Sequence, residues 1–210
     1  MDYAIRTLKH DINVLVEKPM TINCQRALQM IEAERTSNAR IIVAYNYRYQ
    51  AASEKVYQMM RDNAIGRVTA VEFTSYKEEN HGSSFFQRWN RMRDNSGGVA
   101  NCKEGHYFDL INWWLGRRPL SVYAMADLKY YGPNGDLNPR RADGRMCYTC
   151  PDQTKCAYFQ NRKDIADAHV KDLQQKHAGM YHDYRPDMCI FDSQIDTEDT
   201  FAALFRYQDN

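Results

Sequence analysis

The chain has 210 residues and a mass of 24.7 kDa, room for one ordinary domain or for parts of two. Twenty-eight Lys and Arg against 27 Asp and Glu leave a net charge of +1, which removes the electrostatic case for a nucleic-acid binder. No apolar run approaches the ~18–20 residues of a membrane span and the N-terminus has no apolar signal-peptide core, so the composition is that of a soluble, cytoplasmic protein, although a mean hydropathy of -0.73 is low for a self-sufficient globule.

Met1–His10 reads as a helix with Ala4, Ile5 and Leu8 on one side. Ile12–Val16 follows as a short, mostly β-branched run of the kind found in buried parallel strands. Thr21 stands where an N-cap belongs, and Cys24, Ala27, Leu28 and Ile31 recur at helical spacing to about Arg35, which makes Cys24 a core residue of that helix. Arg40–Asn46 is a second buried-type strand, so strand, helix and strand form a βαβ unit of a parallel, helix-covered sheet. A helix then runs from about Ala52 to Asn63, with Gly66 as its stop signal. Val68–Tyr76 alternates as a half-exposed strand would, Glu104–Leu115 is helical, and Ser121–Tyr131 and Asp199–Tyr207 alternate again, the last with Phe201, Ala203 and Phe205 on one face. The stretch from Gly132 to Ile195 is irregular, holds four of the six cysteines and contains one helix at about Ile165–Lys176. The expected fold is α/β plus α+β, a parallel sheet in residues 1–50 followed by a mostly antiparallel open sheet in residues 51–210, with the boundary near Tyr49–Ser53.

Two segments carry chemistry. Glu17-Lys18-Pro19 follows a buried-type strand directly, and ligands of parallel sheets bind at the carboxyl ends of the strands. A Lys held there can reach a substrate and serve in acid/base work, or it can be a solvated strand-end Lys. The second segment runs from Gly97-Gly98 through Lys103 and His106 to Trp113-Trp114. At helical spacing Lys103, His106 and Asp109 or Leu110 share a face, so a cation stands beside an imidazole that can pass a proton at neutral pH. The alternative is a helix whose Leu110 and Trp113 fill a core while His106 is merely hydrogen-bonded.

Together these segments resemble the Gfo/Idh/MocA oxidoreductases. The strand before Glu17-Lys18-Pro19 and the run Tyr45-Asn46-Tyr47-Arg48-Tyr49 resemble the end of that family's dinucleotide-binding Rossmann domain. Arg88-Trp89, Ser96-Gly97-Gly98, Lys103 and His106-Tyr107-Phe108-Asp109 through Trp114 fall in the order of its C-terminal domain. The resemblance implies hydride transfer with NAD or NADP on a sugar, cyclitol or similar polyol, no nucleic-acid or membrane partner, and a homo-oligomer formed through the C-terminal sheet. It implies catalytic roles for Lys18, which holds the reacting oxygen, His106, which exchanges its proton, and Lys103, which polarises the site. Glu17, Lys18, Pro19 and Asn46 would line the cofactor, and Tyr45, Arg48, Arg88, Trp89 and Asp109 the substrate. Better-known members carry an Asp four residues before the His; here that place is Cys102, a small residue expected to pack beside the site.

The glycines at 66, 82, 97, 98, 105, 116, 132, 135, 144 and 179 form no G-x-G-x-x-G set, the turn that lets a pyrophosphate approach the backbone. The end at Phe205–Asn210 stops inside a strand, so the chain reads as a fragment that lacks the first part of the Rossmann domain and the end of the C-terminal one. Cys147-x-x-Cys150, Cys156 and Cys189 offer four thiolates for a structural zinc ion, or simply closely packed thiols. Two rival functions stay open: a relative that uses NAD transiently to eliminate a glycosidic bond, and a non-catalytic assembly or metal-binding module.

Overall fold

A computed structural model describes residues 2–133, 144–159 and 187–208. In chain order the elements are α1 (Asp2–Leu8), β1 (Val14–Glu17), α2 (Cys24–Arg35), β2 (Ile41–Ala44), α3 (Ala51–Arg61), α4 (Glu79–Phe86), α5 (Arg93–Ser96), α6 (Gly105–Leu115), β3 (Pro119–Asp127) and β4 (Thr200–Tyr207). They fall into two compact units, one of Met1–Thr74, Val99–Met125 and Phe201–Asn210, the other of Ser75–Gly98 and Ala126–Thr200. The helix expected at about Ile165–Lys176 lies outside the described residues.

In the first unit β1 and β2 pair in parallel, Val14 opposite Ile41 through Glu17 opposite Ala44, and α2 makes the crossover between them. The βαβ unit is therefore present. Its strands, however, are covered on one face only: Val14 and Val16 are half-buried while Leu15 and Ile42 are exposed, so the continuous apolar runs do not mark strands buried on both sides. The buried side of α2 is likewise not the expected one. Met30 is fully buried, whereas Leu28, Ile31 and Cys24 are exposed, because the helix turns its Met30 side inward and packs on α1. Its cap is Asn23, whose side-chain oxygen accepts from the Arg26 N–H at 2.9 Å; Thr21 lies two residues farther out and donates its hydroxyl to the Asn23 carbonyl.

After β2 a tight 3-10 turn, Asn46–Tyr49, leads into α3. That helix ends before Asp62, with Asn63 taking the left-handed conformation (φ 55) in the turn that follows, so the stop precedes Gly66. Val68–Tyr76 forms no strand despite its alternation: it meets no hydrogen-bonding neighbour strand among the described residues, and alternation without a partner cannot make a sheet. β3 and β4 pair with each other. They run antiparallel, since the Asp199 N–H donates to the Asp127 carbonyl near one end and Arg117 reaches the Gln208 carbonyl near the other. β4 alternates as expected, with Phe201 and Phe205 set against Phe108 of α6 at ring distances of 5.9 and 5.2 Å. β3 is exposed along its whole length.

The second unit is built around Phe85, Phe86, Tyr131, Ile190 and Phe191, together with a buried ion pair between Arg91 and Asp192 at 3.1 Å. Arg91 also donates to the Cys189 carbonyl and to Gln194, which satisfies its buried guanidinium. Gly97 closes α5 in the left-handed conformation (φ 74), and Gly98 follows at φ 90, where a Cβ would stand 2.9 Å from both Arg93 and the Glu198 carboxylate. The glycine pair thus answers a packing demand as well as a turn. Among the described residues no helix is long and apolar enough to cross a membrane.

Candidate active site

α6 organises the first unit's site, because its residues point to three neighbours at once. Trp114 donates its indole N–H to the Ser53 carbonyl at 3.0 Å, and Trp113 stacks on Tyr57 at 4.1 Å, which fixes α6 against α3. Tyr207 of β4 donates its hydroxyl to Asn112 at 2.7 Å on another side. The third side faces the 3-10 turn after β2, and there His106 and Asp109 are engaged.

His106 is 6% exposed and stacks on Tyr47, with ring centroids 3.9 Å apart and planes within 8°. Tyr45 presents its edge to the same imidazole at 6.0 Å. Two aromatic contacts at right angles leave the ring little freedom to turn. Burial is the main cause that raises the Tyr45 phenol above its ordinary value, reinforced by the charge of Asp109 and opposed by Arg48, so it stays a neutral hydroxyl. Arg48 and Asp109 form a two-pronged ion pair, Nε to Oδ2 at 2.7 Å and Nη2 to Oδ1 at 2.6 Å. The Asp109 hydrogen bond holds the Arg48 guanidinium above its usual value, and the same group lies 5.5 Å over the Trp113 ring. The two residues expected to line the substrate separately therefore neutralise each other and tie the turn after β2 to α6.

Before α6 the chain makes a π-helical turn, Ala100–Glu104. Such wide turns loosen the regular ladder of helical hydrogen bonds. Lys18, at the end of β1, donates its ammonium to the carbonyl of Cys102 in this turn at 2.8 Å, and Asn101 donates its side-chain amide to the Thr21 carbonyl at 3.0 Å. Two hydrogen bonds thus dock the loop after β1 onto the start of α6. Cys102 lies four positions before His106 in the chain, so the Lys18 ammonium is bound to the turn that leads into the imidazole-bearing helix. Lys103 is in the π turn itself, which breaks the regular i, i+3 relation to His106 that helical spacing predicts.

Of the other expected residues, Glu17 and Asn46 are exposed and Pro19, joined to Lys18 by a cis bond, is half-buried. Arg88 and Trp89 belong to the second unit and are exposed. Cys102 is half-buried beside the Lys18 contact. Sequence reasoning did not single out Tyr47 or Asn101 for these contacts; the aromatic alternation Tyr45, Tyr47, Tyr49 was the available signal for the first. In the second unit Cys147, Cys150, Cys156 and Cys189 line one small cavity of ≈ 20 Å³ with Met146 and Phe159. Among the described residues no group of three or more His, Cys, Asp or Glu stands ready to hold a metal ion, so the expected structural zinc finds no support in this arrangement.

Residues 1–45 match the model of the oxidoreductase family's NAD-binding Rossmann fold, and residues 53–210 match that of the GFO/IDH/MocA C-terminal domain. The chain is 42% identical to the Bacillus subtilis protein YteT over 98% of its own length and 49% of that protein. It is 27% identical to the inositol 2-dehydrogenase of Rhizobium meliloti over 60% of its length and 37% of that enzyme. Among solved structures, one from Bordetella bronchiseptica superposes with a TM-score of 0.52 at 21% identity, covering 66% of this chain and 34% of the other. The apo scyllo-inositol dehydrogenase of Lactobacillus casei gives 0.50 at 19% identity, covering 60% and 35%. The chain spans about half the length of YteT and less of the others.

Proposed function

Since this chain belongs to the Gfo/Idh/MocA family of NAD-binding oxidoreductases, we propose that it serves NAD(P)-dependent hydride transfer on a sugar, cyclitol or related polyol. The observation that carries the reading is the 2.8 Å bond from Lys18 to the Cys102 carbonyl, which anchors a strand-end cation on the turn that leads into α6 and its buried, ring-stacked His106.

The residues present suit the nicotinamide end of such a cofactor. Glu17, Lys18 and Pro19 lie at the carboxyl edge of the parallel pair β1–β2, where ligands of this architecture bind, and exposed Asn46 follows β2 at the same edge. When bound, a nicotinamide accepts or donates the hydride. Lys18 supplies a hydrogen-bond donor and a positive charge for the substrate oxygen as it gains alkoxide character. His106 takes the hydroxyl proton in oxidation and returns it in reduction. Tyr47 and Tyr45 hold the imidazole plane, and the Arg48–Asp109 pair holds the turn that bears both tyrosines. Lys103 adds positive charge to the same turn of chain. Assembly through the β3–β4 sheet, with Leu120, Val122, Met125 and Leu204 exposed, belongs to the same proposal.

The test is to incubate the intact protein with NAD or NADP and a panel of polyols, sugars and cyclitols. Accumulation of reduced nicotinamide with one of them is the expected result. Substrate cleavage with no net reduction would replace the proposal with the eliminating relative. Absence of any nicotinamide-dependent conversion, with assembly retained, would favour the non-catalytic module.

A further inference from the structure

The Lys18 ammonium rides on a flexible four-carbon stem, so a fixed place for it requires both ends of the side chain to be held. The far end is held by the Cys102 carbonyl at 2.8 Å. The near end belongs to the connection between β1 and α2, residues 18–23, which lies in neither helix nor strand. This loop is tied down at its two margins. Glu17 is paired in β1 just before it, and Asn23, its last residue, caps α2 through the Arg26 N–H.

Between those margins Asn101 supplies an anchor from 80 positions away, donating its side-chain amide to the Thr21 carbonyl at 3.0 Å. The two bonds run in opposite directions. Lys18 donates from the loop to the π turn at Cys102, and Asn101 donates from the π turn back to the loop at Thr21. Adjacent residues of one turn thus grip two points of one loop, three residues apart. Both bonds are part-buried, where a lost partner costs more than it does in open water. Wide helical turns of this kind occur frequently at functional sites.

We propose that Asn101 is a positioning residue for Lys18: through Thr21 it holds the loop so that the Lys18 ammonium meets the Cys102 carbonyl. An ammonium has three N–H donors, so with one engaged at Cys102 a substrate oxygen can take another from a fixed direction. Asn101 acts through the loop and not by contact with the substrate. Its effect on turnover rests on the proposed role of Lys18 in hydride transfer, whereas the placement of the ammonium does not.

The experiment acetylates the intact protein with an amine-reactive ester and follows each lysine by peptide mass spectrometry, with exposed Lys9 as the internal reference. In the unsubstituted protein Lys18 should react more slowly than Lys9 by about threefold or more. Asn101→Leu, which keeps the size of the side chain and removes its donor, should speed the reaction of Lys18 by about three- to tenfold and leave Lys9 unchanged. Asn101→Gln, which keeps an amide donor, should retain part of the protection. With a turned-over substrate, Asn101→Leu should lower kcat by about three- to tenfold at unchanged NAD(P) binding, and should cost nothing further in a Lys18→Ala background. Should Asn101→Leu fail to fold, the comparison of Lys18 with Lys9 in the unsubstituted protein still decides. Lys18 as reactive as Lys9, labelling unmoved by Asn101→Leu, or an equal loss of kcat in the Lys18→Ala background would overturn the proposal. Faster Lys18 labelling in Asn101→Leu without nicotinamide-dependent turnover in any form of the protein would support the positioning and count against the proposed function.

Discussion

Arg48 and Asp109 show how a residue's chemistry and its partner can be legible separately but not together. Both types suggest polyol recognition, and only the folded geometry pairs them, 61 positions apart, into a fork that leaves neither charge free. Asp109 is largely buried while Arg48 is partly exposed, so Arg48→Ala should cost about 1–3 kcal/mol, read as a lower urea midpoint at unchanged slope. Arg48→Lys should restore only part of it, since an ammonium cannot bridge both carboxylate oxygens. Full restoration by Lys would mean that charge alone matters there. The strand-end place of Lys18 and the helix-start place of His106 were legible because both follow from hydrophobic pattern and motif order. Tyr47 was not, since ring stacking depends on how a turn lies against a helix. Cys147 supports a prediction of its own. Its folded-state pKa of about 12 exceeds the ordinary thiol value because of burial, so the folded form binds the proton more tightly. The stability this gives is complete below about pH 8.5 and is lost as pH rises from there through about 12. Urea midpoints should fall between pH 8.5 and 10.5 more steeply than in Cys147→Ala. Identical slopes would show that the thiol is not buried as described.

Among the elements, the contrast between β4 and Val68–Tyr76 is instructive. Both alternate, yet β4 has β3 to bond with and α6 to pack on, while the other segment meets no strand among the described residues. Local pattern names a face but not a partner. The same limit explains α2, whose 3.6 period was plain but whose inward side is decided by α1. Where a motif sets backbone geometry directly, the sequence is a better guide. Gly97-Gly98 stood out as a pair, and the structure gives the second glycine two reasons, positive φ and a Cβ position 2.9 Å from Arg93 and Glu198. Gly98→Ala should therefore destabilise the chain by about 1–3 kcal/mol and loosen the Arg93–Glu198 ion pair. A thermal midpoint unchanged within error would contradict that reading.

On the scale of the whole molecule, fold class and family were both legible, because ordered motifs survive at fixed separations even where strand ends and helix faces shift. Arg88 and Trp89 matched the family's motif order, yet they lie in the second unit, while the site geometry described above is contained in the first. The proposed function requires Lys18 and His106 to act on one proton transfer. Turnover of Lys18→Ala, His106→Ala and the double variant of the intact protein, with NAD(P) binding followed by calorimetry, tests it most directly. Each single variant should lose a factor of about 10²–10⁴ in kcat with cofactor binding little changed, and the double variant should be little worse than the more damaged single. An unchanged rate for either single variant, or losses that multiply in the double, would contradict it.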